Sequence, residues 1–292
     1  MQEPKITIVT PSFNQGQFLE AAIQSVLSQN YPNLEYIIID GGSSDSSVSI
    51  IKKYESRLAY WSSEPDGGQY HAINKGFARA TGEIMGWLNS DDLLFPWALR
   101  VVGAIMSDQP EVEWLSTLQP ASVDAEGYLN RLSYFRGFSR EAFLDGRYLP
   151  STCPSPFGWI QQESTFWRTG LWRRSGGLNA SEFDLAGDFD LWARFFATTQ
   201  LFGVTSPLGA FRRHLNQRSH AIEKYSNQAK IALFRARKHW NWSKKTLRNA
   251  CYGLKFHRIP GAASLHRRLY GYQSKRLIRH NQRWAVENYT FV

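Results

Sequence analysis

Two adjacent carboxylates end an apolar run in the stretch GWLNSDDLL, Gly86 to Leu94. Ionised side chains resist burial unless a partner neutralises them, so Asp91 and Asp92 must either lie in an exposed acidic turn or bind a cation. The turn would cap the helix expected to start near Pro96. A cation site would suit Mg²⁺ or Mn²⁺, which prefer oxygen ligands and often hold phosphate oxygens too. A diphosphate on such an ion becomes a good leaving group, because the ion neutralises the developing charge.

The residues around this stretch alternate between predicted strands and predicted helices. Strands are expected at KITIVT, LEYIIID, LAYWSS and EIMGWL, with helices between them. Such alternation is typical of a parallel sheet covered by helices on both faces, with ligands bound beyond the carboxyl ends of the strands. Polar residues follow three of these ends, namely Thr10 to Asn14, Asp40 to Gly42 and Asn89 to Asp92. We therefore expect one polar edge of the sheet to form the site.

The chain changes character after about residue 110. Residues 110–180 are rich in Trp, Tyr, Phe, Gly and Pro with weak periodicity, which predicts a loop-rich half that forms a pocket wall. GDFDLWARFF predicts a helix, and TQLFGVTSPLGAFRRH predicts strand, turn and strand. From about Ala221 the chain is predicted to be helical and then irregular near Pro260. We divide it into halves 1–110 and 111–220 and an extension, 221–292.

Composition excludes several classes of protein. Hydrophobic residues at 42% and aromatic residues at 14% are ample for a packed core. No GxxxxGK[ST] or GxGxxG segment follows the first strand, which argues against a P-loop or a dinucleotide site. No apolar run approaches the roughly 20 residues that span a bilayer, and no signal peptide is recognisable. Cys153 and Cys251 lack zinc-like spacing and predict a reducing compartment, so we expect a cytoplasmic protein.

A longer series of motifs makes the function specific. TPSFNQGQFLEAAIQSVLSQNYPNLEYIIIDGGSSD, followed by EPDGGQYHAINKGFARATGEIMGWLNSDD, resembles glycosyltransferase family 2. The resemblance is strong over about residues 4–110 and looser over 155–220. It implies the GT-A fold, a Rossmann-like α/β domain, to which we add a basic, mainly helical C-terminal extension. It also implies a nucleotide-diphosphate sugar as donor, linked to UDP, GDP or dTDP.

On the donor side, the resemblance implies that the first loop contacts the base and ribose and that Asp40 hydrogen-bonds the base. Phe13 has the alternative of a core position, and Lys75 that of a solvated helix residue. The full set implied to bind the nucleotide-sugar is Thr10, Pro11, Phe13, Asp40, Asp66, Asn74, Lys75, Asn89 and Ser90.

The family's Asp-X-Asp position falls on Asn89, Ser90 and Asp91, with Asp91 implied as a ligand of Mn²⁺ or Mg²⁺. The first member is Asn here, which removes one charge from the metal site. Asp92 is either a further ligand or a cap of the next helix. His214, in AFRRHLNQRSH, is implied as a third ligand or a phosphate contact, with a surface histidine as the alternative.

The catalytic base of the family lies in a segment like GDFDLWARF, which points to Asp188, with Asp190 as the second candidate. Both carboxylates also suit a helix N-terminus electrostatically, so a structural role is the alternative. Gly187 stands where Glu is common in the family. The family implies one in-line displacement, which inverts the anomeric centre. Acceptor contacts are implied for Trp159, Gln162, Glu163 and Trp167, although either Trp also suits a core.

The extension is strongly basic. Residues 221–292 carry 16 Lys and Arg against two Glu, or +14, whereas residues 1–220 carry 18 against 23, or −5. Clustered cations beside Trp and Tyr suit an anionic membrane surface, which a lipid-linked acceptor would make useful. Solvated helices packed on the body are the alternative. Nucleic acid is not expected as a partner, because the body lacks its motifs.

We therefore predict an inverting, metal-dependent glycosyltransferase of cell-surface polysaccharide or glycolipid synthesis, acting on a glycan or lipid-linked acceptor. One alternative is a catalytically silent protein of the same fold that binds sugar nucleotides or glycans. A nucleotidyltransferase is the other, but its basic, glycine-rich N-terminal loop has no counterpart in TPSFNQGQF.

Overall fold

The structure is a computed structural model that describes residues 3–149, 157–215, 217–240 and 268–292. Both cysteines, and the basic residues of 241–267, lie outside the described residues. The helices include α1 (Gly16–Leu27), α2 (Ser47–Tyr54), α3 (Gln69–Phe77), α4 (Ala98–Asp108), α5 (Arg140–Leu144), α6 (Thr169–Ser175), α7 (Gly187–Thr198) and α8 (Ile222–His239). The first seven strands are β1 (Ile6–Ser12), β2 (Leu34–Asp40), β3 (Tyr60–Ser63), β4 (Ile84–Trp87), β5 (Leu93–Leu94), β6 (Trp114–Thr117) and β7 (Ala121–Val123). They are followed by β8 (Leu129–Leu132), β9 (Phe166–Arg168), β10 (Phe202–Val204), β11 (Gly209–Arg212), β12 (Tyr272–His280) and β13 (Arg283–Phe291).

The predicted α/β architecture is confirmed. A large sheet has the strand order β13-β12-β10-β6-β9-β4-β1-β2-β3. The pairs β1–β2, β2–β3, β1–β4, β6–β10 and β10–β12 are parallel, whereas β9 runs antiparallel to both β4 and β6. The four strands expected from the N-terminal sequence are β1 to β4. A smaller sheet, β5-β11-β7-β8, lies beside the carboxyl end of β4.

Helices cover both faces of the large sheet, and each face carries its own apolar cluster. On one face α1 and α4 bury Leu19, Ile23, Val26 and Leu99 against β1 and β2. These residues of α1 recur at helical spacing, which is why the sequence pattern located that helix correctly. The other face is aromatic and packs α3, α6, α7 and α8 on the sheet. Its largest fully buried side chains include Trp114, Trp167 and Trp192.

The two strands predicted within residues 199–214 are present, but they belong to different sheets. β10 joins the large sheet, while β11 pairs with β5 and β7 in the small sheet. This switch between sheets carries the residues after β11 to the end of β4. It is the step that assembles the site described below.

The C-terminal extension differs from the prediction. It is helical over α8, but its last described part is a hairpin of β12 and β13 that extends the large sheet through β10. The turn residues Asn281 and Gln282 both have positive φ, at 45° and 66°, as a two-residue hairpin requires. Tyr272 and Phe291 pack in one apolar cluster and Leu277 and Trp284 in the other, so the hairpin belongs to the core. None of the helices in the described ranges is both long and apolar enough to cross a bilayer.

Candidate active site

The carboxyl ends of β1, β2 and β4 meet at one edge, as predicted. Ser12 of β1 pairs with Asp40 of β2, and Val9 pairs with Trp87 of β4. The residues after each strand therefore face the same space. That space holds the first loop, the turn at residues 41–45 and the Asn89–Asp92 turn.

Asp91 meets His214 across this edge. The Asp91 Oδ2 atom lies 3.1 Å from Nε2 of His214, although 123 positions separate the two residues. Antiparallel pairing of β5 with β11 brings them together, because Leu93 pairs with Ala210. The His214 ring also packs on Phe18 of α1, with centroids 4.4 Å apart. The side chain of Asp91 is 21% exposed and that of His214 is 7% exposed, so the pair borders the surface.

Asp92 turns the other way and is buried. Its Oδ1 accepts a hydrogen bond from the backbone N–H of Arg212 at 2.9 Å, and its Oδ2 accepts from Nδ2 of Asn89 at 3.0 Å. Burial raises the pKa of this carboxyl well above its usual range, and the neighbouring Glu163 and Asp91 raise it further. Asp92 thus ties the Asn89–Asp92 turn to β11, and its predicted role as a metal ligand stays a prediction.

Asn89 is engaged within the protein. Its Oδ1 accepts a hydrogen bond from Nε2 of Gln69 at 2.6 Å, and its Nδ2 donates to Asp92 and to Oε1 of Gln162 at 3.2 Å. Gln162 in turn donates to the carbonyl of Trp87 at 2.6 Å. In the described part of the chain, no three His, Cys, Asp or Glu side chains come together as a metal-binding group. Asn89, at the position where the family usually has Asp, thus supports the turn through its hydrogen bonds and adds no charge.

Gln162 and Glu163, predicted to contact an acceptor, are buried below the turn, at 9% and 4% exposure. Glu163 accepts a hydrogen bond from Nε2 of Gln161 at 2.6 Å. Burial raises the pKa of Glu163, and the charges of Asp91 and Asp188 raise it further. The structure thus places Glu163 within electrostatic reach of both Asp91 and Asp188, while its predicted contact with an acceptor remains untested.

The first loop presents an aromatic ring to solvent. Phe13 is 60% exposed, so the alternative of a core position does not apply. A Cβ atom on Gly41 would lie 3.3 Å from both the Phe13 ring and the Asp66 carboxylate. The ring and the carboxylate therefore flank Gly41 and form a notch at the end of β2. Asp66 also accepts a hydrogen bond from the N–H of Gly68 at 2.7 Å, which fixes its orientation.

Asp40 is fully buried and holds the turn behind this notch. Its carboxylate accepts from the N–H of Gly42 at 3.1 Å, from Ser43 and from the hydroxyl of Ser63 at 2.7 Å. A direct contact with a base stays a prediction. The remaining residues predicted for the first loop and the acidic turn, namely Thr10, Pro11 and Ser90, are buried as well.

Asn74 and Lys75 each have a partner within the protein, and their predicted contact with the nucleotide-sugar stays a prediction. Asn74 exchanges hydrogen bonds with the backbone of Leu178, at 2.8 and 3.0 Å, and so joins α3 to the loop before α7. Lys75 forms an exposed ion pair with Glu64. Gln69 of the same helix contacts the Asn89–Asp92 turn, and the sequence analysis did not single it out. Gln69 also accepts a hydrogen bond from Arg218 at 2.7 Å, so Arg218 was missed too.

Asp188 lies in the first turn of α7, partly exposed. The hydroxyl of Tyr225 lies 3.2 Å from each of its carboxylate oxygens. Burial raises the pKa of Asp188 to about 6, against the hydrogen bonds from the N–H of Phe189 and from Tyr225, which lower it. A carboxyl with this pKa is ionised at neutral pH and remains basic enough to take a proton.

Gly187 has a steric explanation. A Cβ atom there would lie 2.6 to 2.9 Å from ring carbons of Tyr70, so the Tyr70 ring occupies the space of a side chain. The hydroxyl of Tyr70 donates to the carbonyl of Leu185 at 2.6 Å, which holds the ring against the start of α7. The first turn of α7 is thereby docked on α3.

Asp190, the second candidate for the base, is buried and paired. Its Oδ2 accepts hydrogen bonds from Nε and Nη2 of Arg194, at 3.0 and 2.7 Å, and from Asn179 at 2.9 Å. Asp190 is thus held by these contacts, whereas the side-chain partner of Asp188 is the phenol of Tyr225.

The two tryptophans predicted to contact an acceptor differ in exposure. Trp159 is 46% exposed and stacks on Tyr225, with centroids 5.7 Å apart and planes 24° apart. Trp167 is fully buried in β9 and packs against Trp87, Trp172 and Trp192. The prediction for Trp167 needs correction, because a side chain with 0% exposure in the aromatic core cannot touch an acceptor.

Comparison with known families gives one match that covers more than half of the chain. Residues 7–167 match the family model described as glycosyl transferase family 2. An uncharacterized glycosyltransferase of Mycobacterium tuberculosis (strain CDC 1551 / Oshkosh) is 33% identical over 192 residues, which span 63% of this chain and 66% of that protein. The O-antigen biosynthesis protein RfbC of Myxococcus xanthus is 28% identical over 213 residues, which span 71% of this chain and 16% of that protein.

Two solved structures share the fold. Residues 1–349 of S. aureus TarS, in complex with UDP-GlcNAc, align with a TM-score of 0.60 at 14% identity, covering 78% of this chain and 65% of that chain. The mannosyltransferase PcManGT from Pyrobaculum calidifontis, in complex with GDP-Man and Mn²⁺, aligns with a TM-score of 0.52 at 16% identity, covering 91% and 84%. At identities of 14% and 16% this similarity shows that the chain has the GT-A fold. It does not show which ligands the chain binds.

Proposed function

This chain belongs to glycosyl transferase family 2, and we propose that it is an inverting, metal-dependent enzyme that moves a sugar from a nucleotide-diphosphate sugar to a hydroxyl group of an acceptor. One observation carries the proposal: two consecutive residues of α3 contact the segments that carry Asp91 and Asp188. Gln69 bonds to Asn89 in the turn that carries Asp91, and Tyr70 packs on Gly187 beside Asp188. One rigid helix start therefore fixes the candidate leaving-group site relative to the candidate base.

Asp188 is proposed as the general base. It takes the proton of the acceptor hydroxyl, whose oxygen forms a bond to the anomeric carbon while the bond from that carbon to the diphosphate oxygen breaks. The electron pair of the broken bond leaves with the nucleoside diphosphate. Because the hydroxyl attacks from the face opposite the leaving group, the anomeric centre is inverted.

Asp91 and His214 are proposed to hold Mn²⁺ or Mg²⁺. One carboxylate and one imidazole at the polar edge of the sheet fit a divalent ion that takes its other ligands from phosphate oxygens and water. Such an ion, when bound, would offset the negative charge of the departing diphosphate. The presence of Mn²⁺ in the related mannosyltransferase structure supports this assignment.

The notch at the end of β2 is proposed to receive the nucleoside. The exposed Phe13 ring offers a face to a base, and Asp66 offers acceptor oxygens to base or ribose. UDP-, GDP- and dTDP-linked sugars remain the candidate donors. UDP-GlcNAc and GDP-Man in the related structures support a nucleotide-diphosphate sugar.

The acceptor is proposed to be a glycan or a lipid-linked glycan, in the synthesis of cell-surface polysaccharide or glycolipid. Trp159 exposes an indole that stacks on Tyr225, whose hydroxyl contacts Asp188, and aromatic faces suit the apolar faces of sugar rings. Similarity to a protein of O-antigen biosynthesis supports this class of product.

We further propose peripheral binding to the cytoplasmic face of a membrane. Ile231 and Phe234 of α8 are 47% and 68% exposed, and Lys230 and Lys238 are exposed on the same helix. Apolar side chains flanked by lysines suit an anionic bilayer, where each cation contributes roughly 1 kcal/mol. Co-sedimentation with phosphatidylglycerol vesicles should fall in Phe234→Glu, and equal binding to phosphatidylcholine vesicles would contradict the electrostatic part.

The main experiment combines thermal shift and turnover. Wild type, Asp91→Ala and the control Asp108→Ala are heated with UDP-GlcNAc, GDP-mannose or dTDP-glucose, with and without Mn²⁺, because a ligand of the native state raises the melting temperature. Nucleoside diphosphate release is then followed for the donor that shifts it. A shift that needs both Mn²⁺ and Asp91 supports the proposal. Donor binding without release, with any acceptor glycan, would favour the silent binding protein instead.

A further inference from the structure

Tyr225 of α8 contacts the candidate base Asp188, and both residues lie outside the family-matched region, residues 7–167. Its hydroxyl lies at equal distance, 3.2 Å, from both oxygens of Asp188, and its ring stacks on Trp159. The same side chain therefore touches the proposed base and the proposed acceptor platform. A small cleft at this place is lined by Tyr148, Trp159, Ile160, Phe189, Trp192 and Tyr225.

The position of Tyr225 is fixed by its neighbours on α8. Gln228 accepts hydrogen bonds from the N–H groups of Leu185 and Ala186, both at 3.0 Å, and donates to Asp184. Lys224 forms an ion pair with the same Asp184. Residues 224–228 of α8 are thus bonded to the loop that leads into α7. Rotation of the Tyr225 ring is limited in addition by its stacking on Trp159.

We infer that Tyr225 is a positioning residue, which orients the Asp188 carboxylate and aligns it with an acceptor ring stacked on Trp159. This inference deepens the proposed function and rests on it for its catalytic meaning. A phenol that donates to a carboxylate favours the ionised form, which is the form a base needs. A donor shared between both oxygens also holds the carboxylate plane, while lone pairs of each oxygen remain open to an acceptor hydroxyl. The ligand class is a sugar ring that presents an apolar face to the indole and a hydroxyl to Asp188.

The groups that face Asp188 come from three directions. Tyr70 approaches from α3 and Tyr225 from α8, and burial raises the pKa of both phenols well above their usual value, so both stay neutral. The third group is the buried Glu163, whose own pKa is raised in part by the charge of Asp188. Arg218, in the segment after β11, lowers the pKa of Tyr70 by its positive charge. Among these groups, Tyr225 alone donates a side-chain hydrogen bond to Asp188.

The test is a titration of Asp188 that needs no substrate. Aspartate carboxyl carbons are labelled with ¹³C, and the resonance that is missing from Asp188→Asn is followed from about pH 4 to about pH 9 in the full chain. In wild type we expect it to titrate with a pKa of about 6. In Tyr225→Phe the ring and its stacking stay but the hydroxyl is lost, so the pKa should rise by about one pH unit.

Tyr54→Phe is the matched control. The hydroxyl of Tyr54 donates to the carboxylate of Glu20 at 2.7 Å, between α1 and α2, which contribute no lining residue to the cleft. Its loss should leave the Asp188 titration unchanged. An unchanged Asp188 titration in folded Tyr225→Phe would overturn the inference, and so would an equal shift in Tyr54→Phe. Because no donor is present, this outcome is separate from the failure of the proposed function, which Asp188→Asn with full turnover would show.

Discussion

Asp190 and Arg194 form an ion pair across one turn of α7, with Oδ2 of Asp190 2.7 Å from Nη2 of Arg194. The guanidinium of Arg194 also donates to the carbonyls of Ser175 and Gly177. Asp190 therefore links α7 to the segment after α6. Asp188, two positions earlier, is bonded instead to the phenol of Tyr225 and carries the raised pKa. Two carboxylates that look alike in GDFDLWARF thus have different partners, in keeping with the separate tasks proposed for them.

Substitution should separate these tasks. Asp188→Asn is expected to abolish turnover with little loss of stability, because it removes the proposed base and leaves the ion pair intact. Asp190→Asn should lower the free energy of unfolding by about 1–3 kcal/mol, because it removes a charged hydrogen-bond partner of Arg194. Urea unfolding and product release measured on both variants check this. Equal turnover in Asp188→Asn and wild type would remove Asp188 from the mechanism.

The pH dependence of turnover should follow Asp188. A base acts in its ionised form, so kcat/KM should fall as the pH drops through about 6 and level off above it. The measurement is kcat/KM for the donor identified by thermal shift, at saturating acceptor and Mn²⁺. A profile flat down to about pH 5 would contradict the assignment, since an ordinary carboxyl titrates near pH 4.

Loss of the His214 imidazole beside Asp91 should weaken metal binding. In His214→Ala the Mn²⁺ concentration needed for half-maximal turnover should rise by at least about tenfold, the loss that even indirect metal contacts produce. His280→Ala, at the exposed tip of the hairpin, is the control and should leave the Mn²⁺ requirement unchanged. The same Mn²⁺ requirement in His214→Ala and wild type would leave Asp91 without its proposed partner.

Glu163 should make stability depend on pH in a defined direction. Its pKa is raised in the folded protein, so between its ordinary pKa near 4.3 and the raised value the native state binds more protons than the unfolded state. The free energy of unfolding should therefore fall as pH rises through that range. Glu163→Gln removes this term, so its stability relative to wild type should be higher by about 1–3 kcal/mol at pH 8 than at pH 5.

Urea unfolding at the two pH values tests this, with Glu20→Gln as the control, whose stability relative to wild type should be the same at both. The pKa of Glu20 is lowered by hydrogen bonds from Lys53 and Tyr54, so its contribution is present above its ordinary pKa and is lost on acidification. A Glu163→Gln variant that gains nothing on going from about pH 5 to about pH 8 would contradict the buried, proton-retaining state of Glu163.

The contact between Tyr70 and Gly187 should appear as coupling between two substitutions. Gly187→Ala is expected to cost about 1–3 kcal/mol of stability, because its Cβ would overlap the Tyr70 ring. In Tyr70→Ala the space is free, so adding Gly187→Ala there should cost far less. Gly170→Ala is the control, because its Cβ would meet only the flexible end of Arg174 at 3.3 Å. Additive effects of Gly187→Ala and Tyr70→Ala would show that the ring does not enforce glycine.

Much of the first half followed from local patterns. The period of apolar residues located α1 and the strands β1 to β4, because each pattern is read within a window of one element. The meeting of three strand ends at one edge also followed, since parallel strands align their carboxyl ends. The hairpin of β12 and β13 was not predicted, because its turn is Asn281–Gln282 and not the Asn-Gly pair that marks such turns.

Which residue types stand at the strand ends and in GDFD can be read from local sequence alone, and with them the family and the class of reaction. Which partner each of these side chains meets depends on the packing of distant elements. Asp91 turns toward His214 and Asp92 toward Arg212 because β11, about 120 positions later, pairs beside the turn. In the same way, Tyr225 reaches Asp188 only because α8 packs on α7. A periodic pattern reports the neighbours of a residue within one helix or strand, whereas these choices depend on contacts between elements far apart in the chain.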